Sequence, residues 1–252
     1  MVIAQLSERE KEIVKLLAGE PGLSVARLSE MLSVSVVTIR SDLNDLEQKG
    51  ILVRTRGGAA PAYHPDVLER QSLNVEAKSR IAQAAAALVN DGDTIMIEAG
   101  TTTALVARHL LGKRFVNIVT NSTLILPFAR TNPGIHLTVV GGEFRPASES
   151  MVGPAALAEL ERFHVRLAFV GTDGFSLEGG LTTHLVEGAE IVRRMAERSD
   201  TVVLVADSSK YGKVGFVRVL PVQGVHRLIT DTGLEASAEQ ELAAMGLAIT
   251  KA

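Results

Sequence analysis

The sequence predicts an α/β fold in two parts: a small helical part at the N-terminus, then a larger Rossmann-like part built on a mostly parallel sheet. Three observations indicate this. Residues 1–60 contain three short helical patterns and one alternating strand pattern. Residues 75–252 alternate between strand-like and helix-like runs, an order that favours a parallel sheet covered on both faces. Residues 61–74 have two prolines and little periodicity, and are predicted to be a linker.

The composition narrows the class of protein. Its 252 residues, with 46% hydrophobic content, can bury the core of one large and one small domain. The absence of cysteine excludes disulfides and thiolate metal sites, and the six histidines are scattered, so we expect no metal and no cofactor. The start of the chain is charged where a signal peptide would be apolar, and no apolar run approaches the roughly 20 residues that span a bilayer. We expect a cytoplasmic protein with no membrane partner.

The three helical patterns in residues 1–60 have recognisable ends. The first begins at Ser7, with Glu10 at the capping-box spacing, and the second begins at Ser24. The third, residues 36–50, follows a brief turn and is ended by Gly50. Its apolar residues are spaced to form one buried face: Ile39, Leu43 and Leu46. We therefore expect three packed helices, with a short turn before the third.

The other face of the third helix carries small, hydroxyl, amide and arginine side chains near its start. Such side chains can enter the major groove of DNA and touch base edges and phosphates. The residues that follow alternate as a strand and then reach a glycine pair, a pattern typical of a wing that places arginines near the DNA backbone. The predicted DNA-binding residues are Ser35, Val36, Val37, Thr38, Arg40, Ser41, Asn44, Arg54 and Arg56.

A module that contacts another protein is the alternative for these helices. Residues 1–60 contain 8 Lys+Arg and 8 Asp+Glu, so their net charge does not favour DNA. The acidic residues cluster in the first helix, however, whereas Arg40, Lys49, Arg54 and Arg56 lie on or after the third. This distribution favours DNA as the partner.

In the larger part, five predicted strands end in polar loops that carry glycine or small hydroxyl residues. Sheets of this kind bind ligands beyond the carboxyl ends of their strands, and glycine loops followed by a helix suit an anion such as phosphate. Ordinary turn chemistry explains any one loop, but five in one sheet favour a site. The candidates are Glu98, Gly100, Thr101, Thr102, Thr103, Asn121, Ser122, Gly141, Gly142, Asp173, His184, Glu187 and Lys210.

Residues 32–59 resemble the DeoR family of bacterial transcription regulators. The family signature, with valine-serine, then Thr-Ile-Arg, Asp-Leu, Leu-Glu and a glycine-glycine-alanine ending, is matched from Val34 to Ala59. The chain departs from it at Ser41, where the family usually has a second arginine, and at Arg56, where it usually has histidine. The resemblance implies a winged helix-turn-helix domain that binds double-stranded operator DNA.

The resemblance extends over the larger part. The family's Gly-Thr-Thr, Thr-Asn-Ser, Gly-Gly and Asp-x-Ser-Lys motifs correspond here to residues 100–102, 120–122, 141–142 and 207–210, and Lys78 also fits the pattern. In such proteins this part is a sensor domain similar in fold to ribose-5-phosphate isomerase. Its usual effector is a phosphorylated sugar or polyol, which typically weakens operator binding.

Because of the resemblance to the isomerase, the main alternative function is that of a sugar-phosphate isomerase-like enzyme. Isomerisation needs a base, and Asp173 or Glu187 could supply a carboxylate. In the isomerases the catalytic glutamate is followed by lysine, whereas Gly188 follows Glu187 here, so the catalytic pattern is incomplete. We therefore expect a repressor that is not an enzyme and acts as a homodimer or homotetramer; an activator of the same family is the other alternative.

Overall fold

The computed structural model describes residues 6–20, 22–56 and 58–252. Gly57 of the predicted glycine pair lies outside this part of the chain. The chain divides into two compact units: Met1–Val75 with Pro146–Ser148, and Glu76–Arg145 with Glu149–Ala252. We refer to them as the N-terminal unit and the large unit.

The N-terminal unit has the three expected helices and a β-hairpin. Its elements are α1 (Glu8–Gly19), α2 (Val25–Leu32), α3 (Val36–Gln48), β1 (Leu52–Thr55) and β2 (Gly58–Pro61). The helices begin at local capping signals: Ser7, Ser24 and Ser35 each accept a hydrogen bond from a backbone N–H three residues on. The capping box between Ser7 and Glu10 is formed, and Gly50 adopts the left-handed conformation with φ +69° after α3.

The core of this unit is formed by the predicted apolar stripe and its partners. Ile39, Leu43 and Leu46 are fully buried, together with Ile13 and Leu17 of α1. β1 and β2 pair in antiparallel register, from Leu52 opposite Pro61 to Thr55 opposite Gly58. Burial of these side chains, each contributing about 1.5–3 kcal/mol, stabilises the packing of α3 against α1.

The segment predicted as a linker contains a helix, α4 (Pro65–Ser72). Pro65 stands at the start of the helix, where a missing N–H costs nothing, and His64 accepts the hydrogen bond of the Asp66 N–H. Leu68 is buried in the core of the N-terminal unit. The sequence pattern does not predict this helix, because it has only 8 residues and begins with a proline, which usually marks the end of a helical pattern.

The large unit is built on seven strands, all parallel, in the order β14-β13-β11-β8-β3-β4-β5. This confirms the predicted fold class. Its elements are α5 (Val75–Ala86), β3 (Thr94–Ile97), α6 (Thr103–Arg108), β4 (Val116–Thr120), α7 (Leu126–Arg130), β5 (Ile135–Val139), β6 (Glu143–Arg145), β7 (Ser150–Val152), α8 (Pro154–Leu160), β8 (Val165–Val170), β9 (Gly174–Ser176), β10 (Gly180–Thr183), α9 (Val186–Glu197), β11 (Ser199–Val205), β12 (Val217–Leu220), β13 (Arg227–Thr230), α10 (Ala236–Ala244) and β14 (Ala248–Lys251).

The central strands are buried on both faces, as parallel strands covered by helices must be. Met96 of β3 and Ala168 of β8 pack with Ile191 of α9 in one core cluster. Leu204 and Leu228, from β11 and β13, belong to a second cluster. Such continuous apolar runs are typical of strands in a parallel sheet.

Two small antiparallel sheets were not predicted. β6 pairs with β7, and β10 pairs with both β9 and β12. Their strands have three or four residues each, which is too short for a clear alternation in sequence. Among the described residues, no helix is long and apolar enough to cross a membrane.

Candidate functional site

The turn between α2 and α3 places the start of α3 at the surface. Ser33 adopts a left-handed conformation with φ 53°, which reverses the chain after α2. The Ser29 hydroxyl donates to the carbonyl of Val34, and Ser35 then caps α3. Two helices joined by a tight turn of this kind form the helix-turn-helix arrangement, with α3 in the position of the recognition helix.

The predicted DNA-binding residues of this unit share one property: all but Thr38, which is half-buried, are exposed. Val37 is 75% exposed and Val36 is 38% exposed, unusual values for valine. Ser35 Oγ, however, accepts the Thr38 N–H at 3.1 Å and lies 2.8 Å from Thr38 Oγ1, so these two hydroxyls are engaged in the cap. The exposed residues are Ser35, Val36, Val37, Arg40, Ser41, Asn44, Arg54 and Arg56.

A long-range ion pair that the sequence did not reveal fixes α3 against α1. The Asp42 carboxylate, in a residue that is only 7% exposed, accepts bonds from Arg9 Nε at 2.6 Å and Nη2 at 2.9 Å. Lys49 Nζ lies 2.6 Å from Glu10 Oε1 and forms a second ion pair between the end of α3 and α1. The partners are 33 and 39 residues apart in sequence, so no local signal could have identified them.

In the large unit, the sheet changes its direction of growth between β3 and β8. β4 and β5 extend the sheet on one side of β3, and β8 then returns to pair with its other side. Ligands in open parallel sheets bind at such a switch point, outside the carboxyl ends of the strands. Glu98 follows β3 and Gly171 follows β8, and Glu98 Oε2 accepts the Gly171 N–H at 3.1 Å.

The glycines beside Glu98 are required for close packing. A Cβ at Gly171 would lie 3.3 Å from Glu98 Oε2, and a Cβ at Gly100 would lie 2.8 Å from Thr103 Oγ1. Thr103 is fully buried, and its hydroxyl donates to the Gly100 carbonyl at 3.0 Å. Thr103 therefore shapes the loop; contrary to the prediction, it does not present its hydroxyl to a ligand.

Of the three consecutive threonines, Thr101 and Thr102 have hydroxyl groups that remain available to bind a ligand. Both are half-buried, and their hydroxyls make no hydrogen bond with any residue that the structure describes. Thr102 precedes α6 without capping it. Since α6 has only 6 residues, its dipole is weaker than the sequence suggested, so the two hydroxyls are the main donors here.

Asn121 and Ser122 are both buried, and both polar groups of the Asn121 side chain are bonded within the fold, which corrects the expectation for Asn121. Ser122 as an effector-binding residue stays a prediction. Asn121 is 1% exposed; its Oδ1 accepts the Ala99 N–H at 2.9 Å and its Nδ2 donates to the Met151 carbonyl at 3.2 Å. Ser122 is fully buried and its Oγ has no hydrogen-bond partner among the described residues. Asn121 thus holds the loop after β3 in place.

Gly141 and Gly142 also serve the structure. The Gly141 N–H donates to Glu159 Oε2 at 2.8 Å, so it is not directed at an anion. Gly142 has φ +135°, and a Cβ there would lie 2.5 Å from the Val152 carbonyl oxygen. The committed N–H corrects the prediction of Gly141 as an anion donor. At Gly142 only glycine fits, because the turn passes close to β7, and its role in effector binding stays a prediction.

The loop after β11 positions Lys210 through two carboxylates. Asp207 accepts the Ser209 N–H at 3.1 Å, and Asp231, after β13, accepts the Ser208 N–H at 2.6 Å and the Ser208 hydroxyl at 3.0 Å. Burial raises the pKa of Asp231, but these bonds and one from the Gly233 N–H outweigh it, so its pKa lies below the ordinary value. Lys210 is half-buried, and its ammonium group meets no carboxylate among the described residues.

Asp173 and Glu187, the two carboxylates considered as a catalytic base, are both engaged. Asp173 Oδ2 accepts a hydrogen bond from the Thr183 hydroxyl at 2.8 Å. It accepts a second from the backbone N–H of the exposed His184 at 2.9 Å. Glu187 Oε1 lies 2.9 Å from Arg145 Nη2. Its pKa is lowered, first by a hydrogen bond from its own backbone and then by Arg145, a residue that the sequence did not single out.

The described part of the chain contains no group of three or more histidine, aspartate or glutamate side chains arranged to hold a metal ion. Most of the predicted polar groups at the carboxyl edge are already committed to hydrogen bonds within the fold. Two others are not half-buried: the Ser122 hydroxyl is fully buried and the His184 ring is exposed. Thr101, Thr102 and Lys210 are half-buried with uncommitted side-chain polar groups, and we call them the available set.

Two family profiles match the chain: the DeoR-like helix-turn-helix domain over residues 9–62 and the DeoR C terminal sensor domain over residues 73–232. The HTH-type transcriptional regulator GlpR of Haloferax volcanii is 35% identical over 248 residues, covering 96% of both chains. The transcriptional repressor AccR of Agrobacterium fabrum is 32% identical and covers 92% of both chains.

Among solved structures, ribose 5-phosphate isomerase A of Methanocaldococcus jannaschii is 23% identical over 55% of each chain, with a TM-score of 0.40. The full-length sorbitol operon regulator SorC of Klebsiella pneumoniae is 14% identical, covering 94% of this chain and 100% of SorC, with a TM-score of 0.43. Both similarities are distant.

Proposed function

The chain belongs to the DeoR family of transcription regulators, and we propose that it represses a carbohydrate catabolic operon and leaves its operator when a phosphorylated sugar or polyol binds. In this proposal residues 1–60 form the DNA-binding domain, residues 61–74 connect it, and residues 75–252 form the sensor domain. The protein acts in the cytoplasm, where its DNA partner is found. The family match and relatives named as repressors support the DNA-binding half.

The charge of the N-terminal unit supports an oligomer. Basic and acidic residues are equal in number over residues 1–60. A single N-terminal unit, or DNA-binding head, therefore gains little DNA affinity from counterion release. The exposed cationic side chains among the predicted DNA-binding residues are Arg40, Arg54 and Arg56. We therefore propose a homodimer or homotetramer that places two or more recognition helices in a repeated or palindromic operator.

One observation supports the effector half of the proposal: the loops that carry the available set, Thr101, Thr102 and Lys210, lie on either side of β8 at the carboxyl edge of the sheet. The loops that hold these residues follow β3 and β11, which are separated only by β8. Neighbouring strands lie about 4.8 Å apart, so the two loops are separated by roughly 10 Å. Two hydroxyl donors and one ammonium group across such a gap suit the oxygens of a phosphate monoester.

The same site supports a sensor over an isomerase. Moving a proton between adjacent carbons needs a positioned base that is free to accept it. Asp173 is bonded to Thr183 and His184, and Glu187 is paired with Arg145. We therefore propose that the protein has no catalytic activity and that ligand binding shifts the population between two arrangements of the DNA-binding heads.

The proposal is tested by measuring operator binding of the full-length protein against a panel of sugar and polyol phosphates, beside their unphosphorylated forms. One phosphorylated compound should release the operator. That release should be lost in Lys210→Met and retained in the matched control Lys113→Met, since Lys113 precedes β4 at the opposite edge of the sheet. Conversion of the compound into an isomer would overturn the assignment as a sensor, and release by unphosphorylated sugars alone would overturn the phosphate site.

A further inference from the structure

Two adjacent valines stand exposed on the first turn of the recognition helix. Val37 is 75% exposed and Val36 is 38% exposed. A β-branched residue gains nothing from an exposed helix position, since its helix propensity is low and its methyl groups are left in water. Single exposed apolar residues are common on protein surfaces, but here two lie side by side on the one helix that a DNA-binding head presents to its ligand.

The structure holds these valines rigidly. Ser35 Oγ accepts the Thr38 N–H at 3.1 Å and bonds Thr38 Oγ1 at 2.8 Å, so the first turn cannot fray or rotate freely. The buried Ile39 fixes the opposite side of the same turn. Val36 and Val37 therefore project at defined positions, with Arg40 and Ser41 one turn further along the same faces.

The major groove offers one apolar group on its base edges, the C5-methyl group of thymine. Apart from the smaller C5–H of cytosine, the other groups on those edges are hydrogen-bond donors or acceptors. A valine would shield them from water without forming hydrogen bonds in its place. An apolar side chain held at the start of a recognition helix thus favours a T·A pair at the position it faces and disfavours the others.

We propose that Val37, flanked by Val36, reads a thymine methyl group in each operator half-site. This inference rests on the proposed function of the N-terminal unit and specifies one element of its target. Neighbouring Arg40 and Asn44 can read or anchor adjacent positions through hydrogen bonds, whereas Val37 contributes by shape and hydrophobic contact. Burying one methyl group should contribute about fourfold in affinity per half-site.

The test begins with operator fragments that the full-length protein selects from a library of random duplex DNA. Each thymine is then replaced singly by deoxyuridine, which removes the methyl group and preserves base pairing. One position per half-site should lose about fourfold in affinity with the wild-type protein. Val37→Ala should bind the thymine operator more weakly and show no further loss with deoxyuridine at that position. Thermal unfolding of Val37→Ala serves to establish that the variant is folded.

Val53→Ala provides the matched control, because Val53 is a half-exposed valine on β1, outside the recognition helix. It should keep the full deoxyuridine effect, whatever its own contribution to affinity. The inference is overturned if no deoxyuridine weakens a tightly bound operator, or if Val37→Ala keeps the full loss; the regulator assignment survives both results. If selection recovers no sequence, the proposed function itself fails, and the inference fails with it.

Discussion

The Glu98 carboxylate accepts a hydrogen bond from the Gly171 N–H at 3.1 Å and thereby joins the loops after two adjacent parallel strands. The bond spans the point at which the sheet changes its direction of growth. It therefore sets the spacing of the loops around the proposed effector site. A side chain at Gly171 would press on this carboxylate at 3.3 Å.

Gly171→Ala should therefore weaken effector binding. Its Cβ would push the Glu98 carboxylate aside by a few tenths of an ångström, without backbone strain at this position. Effector-dependent stabilisation in thermal unfolding should shrink, while operator affinity stays close to that of the wild type. Gly224→Ala is the control, since a Cβ there meets only ordinary contacts at 3.6 Å. An unchanged effector response in Gly171→Ala would contradict this role of the Glu98–Gly171 contact.

Asp231→Ala should reduce effector affinity through Lys210, although we assign Asp231 no direct contact with the effector. The variant loses the two bonds that hold Ser208, so the turn Ser208–Lys210 keeps its bonds to the Asp207 side chain but is held less firmly. An effector at 100 times its dissociation constant should stabilise the wild type by about 2.7 kcal/mol, and the variant by distinctly less. Thermal unfolding with and without effector measures the difference.

A double-mutant cycle separates positioning from direct contact. If Asp231 acts through Lys210, then the double variant Asp231→Ala/Lys210→Met should lose no more effector affinity than Lys210→Met alone. Fully additive losses would show that Asp231 acts on the effector independently. Asp231→Asn should restore part of the response, because its amide oxygen can still accept the Ser208 N–H.

Asp42→Ala should destabilise the N-terminal unit and weaken operator binding. The substitution removes two hydrogen bonds to Arg9 and leaves the guanidinium without this partner. Because the Arg9 side chain is 43% exposed, solvent screening limits the cost to about 1–2 kcal/mol. Urea unfolding measures it. Lys11→Gln, which breaks an exposed pair with Glu8, should have almost no effect; an equal loss in both variants would argue against a special role for Asp42.

The stability of the large unit should fall in acid partly because of Asp93. Hydrogen bonds from Arg166 hold the pKa of Asp93 below its ordinary value of 3.8. A carboxyl group with a lowered pKa in the folded state contributes stability above its ordinary value, and that contribution is lost as the pH falls through the folded-state pKa. The free energy of unfolding should therefore decline as the pH falls below 3.8 and on through the lower, folded-state pKa.

Asp93→Asn isolates this contribution. The variant should be less stable than the wild type by about 1–2 kcal/mol at pH 7, a figure discounted because Arg166 is partly exposed. The two proteins should converge as the pH falls below 3.8 and through the folded-state pKa of Asp93. Urea unfolding at several pH values measures both trends. Parallel curves for the two proteins would rule out Asp93 as a source of the pH dependence.

Local sequence signals determined much of the fold. Ser7, Ser24 and Ser35 mark helix starts because a cap needs only the next three residues. The alternation of strand and helix patterns gave the parallel sheet, because strands buried on both faces must be continuously apolar. Motif resemblance gave the family. What was missed is short, namely α4 and the small antiparallel sheets, where too few residues form a pattern.

Only the tertiary structure decided which polar residues remain available to a ligand. The sequence proposed thirteen effector-site residues by type and position, and packing turned Thr103, Asn121 and Ser122 inward and tied the Gly141 N–H to Glu159. It also supplied the long-range pairs of Arg9 with Asp42 and Arg145 with Glu187. A cap or an apolar stripe depends on neighbours along the chain, so sequence reveals it. A hydrogen bond between distant segments depends on how the sheets and helices pack, and this is settled only when the chain has folded.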